Sequence, residues 1–153
     1  MNNDGKYKYY ATNNHNMIGN IYVNDINEPF TFNILLDNSG SNYRFYETVD
    51  RENYIANLAV EPHITIYVND SINFRSLSTN THPFEIRNAS GQQINALDGT
   101  QYLTNTNTGA TWHFTSEETY SYHCTNHASM AGNIYVIQPQ PKNHIYNIRN
   151  EST

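Results

Sequence analysis

The chain has 153 residues and a formal net charge of −6, and it contains a single cysteine. This length suits one domain with a sizeable buried core, and one cysteine excludes an internal disulfide bond. An acidic chain without a cluster of Lys or Arg argues against nucleic acid as a partner, and the lack of any run of about 18 apolar residues argues against membrane insertion.

The first patterned segment, residues 7–23, recurs later in the chain. It aligns without a gap to residues 120–136, an offset of 113 residues, and ten of the seventeen positions are identical. The identical positions in the first copy are Tyr7, Tyr9, Thr12, Asn13, Met17, Gly19, Asn20, Ile21, Tyr22 and Val23. A period of this length is typical of tandem whole domains rather than of small solenoid repeats.

The repeat predicts a division of the chain into three parts. Residues 29–138 would form one complete domain, and residues 1–28 would be the tail of a preceding, degenerate repeat. Residues 139–153 would be a linker and the start of a further repeat. The alternative is that residues 7–23 are extra strands on a single domain.

The segment after residue 28 predicts strands. Phe30, Phe32, Ile34 and Leu36 occupy alternating positions, which is the pattern of a half-buried strand. The elements predicted in order are a strand over residues 30–36, a turn over 37–41, a strand over 43–47 and a hairpin of two strands over 64–68 and 72–77.

The rest of the chain continues this pattern. Residues 88–109 are polar and predict a surface excursion with a short strand near Tyr102, and residues 111–115 and 119–124 predict two further strands. No amphipathic pattern of ten residues indicates a helix. The sequence therefore predicts an all-β fold, a Greek-key β-sandwich of seven to eight strands.

Residues 120–136 carry the densest chemistry in the chain. Cys124, His127 and Met130 follow one another at three-residue steps, and the alternating residues around them predict a strand, a tight loop and a strand. A cysteine thiolate, two histidine imidazoles and a weak axial methionine are the ligands of blue-copper electron-transfer sites. The loop supplies three of these four ligands, so the second histidine has to come from elsewhere.

The motif Tyr-x-Tyr-His-Cys-Thr-x-His-x-x-Met-x-Gly resembles the copper loop of the cupredoxins, the type 1 blue-copper family. Its short spacing is most like that of amicyanin and plastocyanin-like domains. In that family the remaining ligand is an upstream histidine at the start of a strand, and His82 lies 42 residues before Cys124 and opens the alternation that begins at Phe84. The resemblance therefore implies one type 1 copper ion with four ligands, His82, Cys124, His127 and Met130.

Some of these residues have plainer interpretations. Cys124 could be a small buried hydrophobe and Met130 a filler of the core, because both side chains pack well. In the first copy of the repeat, Ala11 and Asn14 stand at the positions of the cysteine and the following histidine, and of the three only Met17 is retained. That copy is expected to bind no copper.

His123 precedes Cys124, and a His-Cys pair joins two copper centres in nitrite reductases and multicopper oxidases. Side chains alternate along a strand, so His123 is expected to point away from the copper that Cys124 binds. A second copper site in this chain is therefore not expected.

Two residues next to the expected ligands differ from those of many cupredoxins. Pro83, directly after the upstream histidine, has no backbone N–H to donate. Asn126 keeps a backbone N–H that can donate a hydrogen bond to the cysteine sulfur.

The resemblance implies a carrier of single electrons and not an enzyme, with no catalytic residues. Electrons would pass through the edge of His127, within a small apolar patch of Pro83, Phe84 and Ala128. A redox partner with a basic docking face would suit the negative charge, and an extracytoplasmic or secreted location is favoured by the family. The alternative is a structural or surface tandem-repeat protein in which copper is structural or vestigial.

Overall fold

A computed structural model describes residues 5–11, 14–23, 28–46, 59–77, 82–105 and 108–139, with the backbone alone described for residues 5–11, 14–23 and 59. Every regular element in these ranges is a β-strand. In chain order the strands are β1 (Gly5–Ala11), β2 (Asn14–Val23), β3 (Thr31–Asp37), β4 (Arg44–Tyr46), β5 (Ala59–Val60), β6 (Ile64–Tyr67), β7 (Ser71–Ser76), β8 (Phe84–Arg87), β9 (Gln93–Ile94), β10 (Gly109–His113), β11 (Thr119–Cys124) and β12 (Ala131–Ile137). These ranges hold no helix of the length and apolarity that a membrane span requires.

The strands form two five-stranded sheets and a separate two-stranded hairpin. One sheet has the order β10-β7-β3-β4-β5 and the other β6-β12-β11-β8-β9. Both are mixed, since β3 runs parallel to β7 and β12 runs parallel to β6. The predicted all-β sandwich is confirmed. Among the described residues, the sandwich has eight strands of three or more residues, which agrees with the predicted number, and the two-residue strands β5 and β9 are additional.

The core contains many aromatic side chains, which the strands contribute mainly at alternating positions. Along β11, the buried residues are Tyr120, Tyr122 and Cys124, at every second position. Phe84 lies at the centre of an aromatic cluster, with its ring centroid 4.7 Å from that of Phe74 and 5.6 Å from that of Tyr122. Because aromatic side chains bury large apolar areas, this cluster holds the start of β8 firmly beside β11.

The predicted hairpin over residues 64–77 is wrong, because β6 lies in one sheet and β7 in the other. Asp70, which is fully buried, stabilises the segment that connects the two sheets. Its carboxylate accepts hydrogen bonds from the backbone N–H groups of Phe30 and Tyr67, each at 2.9 Å. Asn69 has a φ of 74°, in the left-handed region that asparagine tolerates better than most residues. The segment thus passes from one sheet to the other instead of folding back.

The N-terminal hairpin has the same register as the hairpin of β11 and β12. Strands β1 and β2 pair Lys6 with Tyr22, Tyr7 with Ile21, Lys8 with Asn20, Tyr9 with Gly19 and Tyr10 with Ile18. Strands β11 and β12 pair Thr119 with Tyr135, Tyr120 with Ile134, Ser121 with Asn133, Tyr122 with Gly132 and His123 with Ala131. Each pair of the second set follows from one of the first by adding the sequence offset of 113 residues.

Candidate metal centre

The predicted ligands meet because two strands that are distant in sequence are neighbours in one sheet. Strands β8 and β11 are antiparallel, and Cys124 at the end of β11 pairs with Phe84 at the start of β8. His82 comes two residues before Phe84, so it lies at the same end of the sheet as Cys124. The chain separation of 42 residues between His82 and Cys124 is closed in this way.

The segment after Cys124 is a compact loop that returns into β12, as the sequence predicts. Two backbone hydrogen bonds close it. The N–H of Cys124 donates to the carbonyl of Met130 at 3.0 Å, and the N–H of Met130 donates to the carbonyl of His127 at 3.1 Å. The loop therefore holds the backbone of His127 close to the end of the cysteine strand.

Three donor atoms converge at this point. The Nδ1 atoms of His82 and His127 are 3.0 Å apart, and each is 3.6 Å from the Sγ atom of Cys124. The three residues form a group whose donor atoms all lie within 4.8 Å of one another. One soft sulfur and two imidazole nitrogens make a donor set for a transition metal rather than for Ca²⁺ or Mg²⁺.

The spacing of the three atoms fits a single ion. Metal bonds to imidazole nitrogen are about 2.0 Å long and bonds to thiolate sulfur about 2.3 Å. The nitrogen–nitrogen separation of 3.0 Å and the nitrogen–sulfur separations of 3.6 Å are each shorter than the sum of the two bonds. One ion can therefore reach all three donors without moving the backbone.

The group is sealed on one side and open on the other. Cys124 is 4% exposed and Met130 is 1% exposed, so both belong to the core. His82 is half-buried, and His127 lies exposed at the surface. The methionine is thus at the loop end beside the group, and its role as an axial ligand stays a prediction.

Hydrogen bonding and charge favour a metal at these atoms. The backbone N–H of Asn126 donates to the Sγ atom of Cys124 at 3.4 Å, which confirms the donor predicted for this position. Burial and the neighbouring His127 lower the pKa of His82, which favours the neutral imidazole that a metal requires. Pro83 offers no N–H to the sulfur, but its carbonyl accepts the N–H of Thr125 at 3.1 Å.

His123 lies on the other face of β11, as the alternation predicts. It is half-buried between positions whose side chains enter the core, and its Nε2 atom is 2.7 Å from the Oγ atom of Ser121. Burial and the charge of Arg87 lower the pKa of His123, against a smaller opposite effect of Glu85. The side chains around it are those of Ser121, Glu85 and Arg87, and the three-residue metal group does not include it.

Two residues that fix the backbone of His82 are missed by the sequence analysis. Asn38, within the predicted turn, is fully buried, and its side-chain amide donates to the His82 carbonyl at 3.1 Å. The hydroxyl of Tyr43 lies 3.3 Å from the same carbonyl oxygen. Turn-forming residues usually lie at the surface, so the composition of residues 37–41 hides the role of Asn38.

The predicted apolar patch around His127 needs one correction. Phe84 is completely buried, because it points into the aromatic cluster of the core and not towards the loop surface. Pro83 is half-buried and Ala128 is exposed. Among the three predicted residues, only these two contribute to the surface beside His127.

No protein-family model matches the sequence, and none of the curated proteins shows a significant match. The structure is similar to a reduced Cu(I) form of an amicyanin mutant, at 18% identity over 67% of this chain and 80% of that chain, with a TM-score of 0.41. It is also similar to a purple cupredoxin from Nitrosopumilus maritimus, at 18% identity over 69% of this chain and 98% of that chain, with a TM-score of 0.39.

A third solved structure with a similar fold belongs to a larger chain. It is a copper-containing nitrite reductase from Thermus scotoductus, at 17% identity over 74% of this chain and 24% of that chain, with a TM-score of 0.45.

Proposed function

We propose that this protein is a mononuclear type 1 copper protein that carries single electrons. The observation that carries the proposal is the convergence of His82 Nδ1, His127 Nδ1 and Cys124 Sγ at mutual distances of 3.0 to 3.6 Å. Two imidazoles and one thiolate in this arrangement are the equatorial donors of blue-copper sites. Met130, buried at the end of the loop, would supply the weak axial contact.

Copper would supply one-electron chemistry by alternating between Cu(I) and Cu(II). The residues of the chain would hold both oxidation states in one geometry. Cys124 is fixed by the core, and His82 lies at the start of β8 between two backbone restraints, Asn38 and Tyr43. A scaffold that is rigid before the electron arrives reduces the rearrangement that accompanies each transfer.

A visible spectrum during titration with Cu(II) tests the proposal. One equivalent is expected to give an intense blue colour, because the charge-transfer band requires a copper–thiolate bond. Cys124→Ser removes the thiolate and should abolish the colour, whereas His63→Ala, which changes an exposed histidine away from the group, should leave it. A wild-type protein that stays colourless with Cu(II), or that binds zinc alone, contradicts the copper assignment.

Electrons would enter and leave through His127, because it is the exposed member of the group. The surface beside it includes Pro83 and Ala128. The formal charge of −6 favours a basic docking face on the redox partner. Such an encounter would be weak and would weaken further with added salt. An extracytoplasmic location is proposed on the resemblance to cupredoxins.

The site is proposed to act without a second copper ion, and the protein is proposed to carry electrons rather than to act as an enzyme in its own right. His123, the residue that would extend the site, is directed to the opposite face of β11, where its ring meets Ser121. The three donors of the group are the only candidates for metal ligation by His, Cys, Asp or Glu clusters among the described residues.

A second proposal concerns the organisation of the chain, and the matched register of the two hairpins supports it. Residues 1–28 would be the tail of a degenerate repeat, and residues 29–138 the copper domain. In the N-terminal hairpin, Ala11 at the end of β1 pairs directly with Asn14 at the start of β2. At the corresponding place in the second hairpin, β11 is followed by the ligand loop. A tandem protein with vestigial copper sites is therefore the alternative function. Residues 140–153, within the proposed linker and next repeat, lie outside the described ranges.

A further inference from the structure

The hydroxyl group of Tyr43 lies where the two ligand-bearing segments meet. Its oxygen is 3.0 Å from the carbonyl oxygen of Pro83, 3.3 Å from that of His82 and 3.4 Å from that of His123. A phenol has one proton, so the hydroxyl donates most strongly to Pro83, the nearest acceptor, and shares the proton more weakly with the other two carbonyls. The hydroxyl therefore joins the segment before β8 to the end of β11, next to Cys124.

The opposite sheet holds the same segment at a second point. The side-chain amide of Asn38 donates to the carbonyl of His82 at 3.1 Å, and its oxygen accepts a hydrogen bond from the hydroxyl of Ser76 at 3.2 Å. Asn38 follows β3 and Ser76 ends β7, and both are fully buried. The backbone of His82 is thus restrained by the sheet that carries no ligand.

The ring of Tyr43 is itself held in place. It is completely buried, with edge contacts to Phe84 at 5.3 Å and to Tyr122 at 6.0 Å between ring centroids. The hydroxyl is the only hydrogen-bonding group of this side chain, so it meets the three carbonyl oxygens as the donor.

We propose that Tyr43 is a positioning residue of the metal site, whose hydroxyl fixes the backbone of His82 relative to Cys124. The proposal rests on the copper function put forward above. Two ligands on separate strands stay at their bonding distance only if the strand ends cannot drift apart. Tyr43 ties these ends directly, and Asn38 ties one of them to the opposite sheet.

The variant Tyr43→Phe tests this role, with Tyr122→Phe as its matched control. Tyr122 is equally buried in the same aromatic cluster, but its hydroxyl donates to the carbonyl of Pro62 at 2.7 Å, away from the metal group. Both variants keep the ring and lose one buried hydroxyl, so both should lose similar stability. Loss of an outer-shell partner typically weakens metal binding about 10–100-fold. A weakening of about tenfold or more, with a changed charge-transfer spectrum, is expected for Tyr43→Phe alone.

A measurement on the metal-free protein separates this proposal from the copper assignment. The N–H of Thr125 donates to the carbonyl of Pro83, the same group that accepts from Tyr43. Tyr43→Phe removes the hydrogen bond from Tyr43 to the Pro83 carbonyl, so the segment should open more easily. Amide hydrogen exchange at Thr125 should then become about tenfold faster, the size expected for the loss of that one bond. In Tyr122→Phe it should change only as far as global stability requires.

The outcomes are distinct. If wild-type protein binds no copper, the proposed function fails, and the exchange rate of Thr125 still decides whether Tyr43 fixes the two segments. Equal effects of Tyr43→Phe and Tyr122→Phe on copper affinity, spectrum and exchange would overturn the positioning role. Both variants are compared at matched folded fractions, which thermal unfolding of the metal-free proteins establishes.

Discussion

The hydrogen bond from Asn126 to the cysteine sulfur gives a direct prediction for the reduction potential. Its backbone N–H lies 3.4 Å from Sγ of Cys124. Sulfur carries more negative charge when the copper site holds the extra electron, so this bond stabilises the reduced state more than the oxidised state. Asn126→Pro removes the N–H and should lower the potential.

The size of the shift follows from the strength of one such bond. Hydrogen bonds to charged groups contribute roughly 1.5–3 kcal/mol. For a one-electron couple, in which a tenfold change corresponds to about 59 mV, this range is about 65–130 mV. Only the difference between the two oxidation states enters the potential. The expected decrease is therefore on the order of 50 mV, with about 130 mV as its ceiling.

Voltammetry on three proteins measures the effect. Asn126→Ala keeps the backbone N–H and loses the side chain, so its potential should match that of the wild type. Asn126→Pro should remain blue at a lower potential. The reasoning is refuted if Asn126→Pro stays blue with an unchanged potential, or if Asn126→Ala shifts it equally, since the side chain would then be responsible.

Two further predictions concern the rest of the chain. Met17→Leu should leave copper affinity and colour unchanged, because Ala11 and Asn14 replace the cysteine and the histidine of the ligand loop; a bleached site in a Cu(II) titration would show that residues 7–23 belong to the copper centre. Gly132→Ala should lower the free energy of unfolding by roughly 1–3 kcal/mol, as overpacking does, because the added Cβ would overlap the buried ring and hydroxyl of Tyr122. Chemical denaturation measures the free energy of unfolding, and an unchanged midpoint would show that the ring of Tyr122 moves aside without loss of stability.

The candidate site could be predicted from the sequence because most of its ligands lie close together along the chain. Cys124, His127 and Met130 lie in one loop, and the alternation of Tyr120 and Tyr122 identifies the strand before it. His82 required the family resemblance, since nothing local to Thr81 and Pro83 indicates a ligand. The structure then brings it to the loop through the pairing of β8 with β11.

The wrong hairpin and the missed role of Asn38 both depend on contacts between distant segments. The pattern over residues 64–77 predicts two strands correctly, but pairing with β12 and β3 assigns them to different sheets. Asn38 lies in a polar turn and is nevertheless buried, because the backbone of His82 and the hydroxyl of Ser76 bind it. Neither fact is encoded in local alternation. Strands β5 and β9, of two residues each, are too short to show any period.

The burial of Cys124 has a consequence for the protein before any metal arrives. A thiol reacts with oxidants and with other disulfides only when its sulfur can be reached. The sole thiol of the chain is 4% exposed, at the base of a loop closed by its own backbone hydrogen bonds. The folded sandwich therefore shields the thiol of the metal-free protein from cross-linking to a second copy, and opening of the loop would expose this thiol to irreversible oxidation.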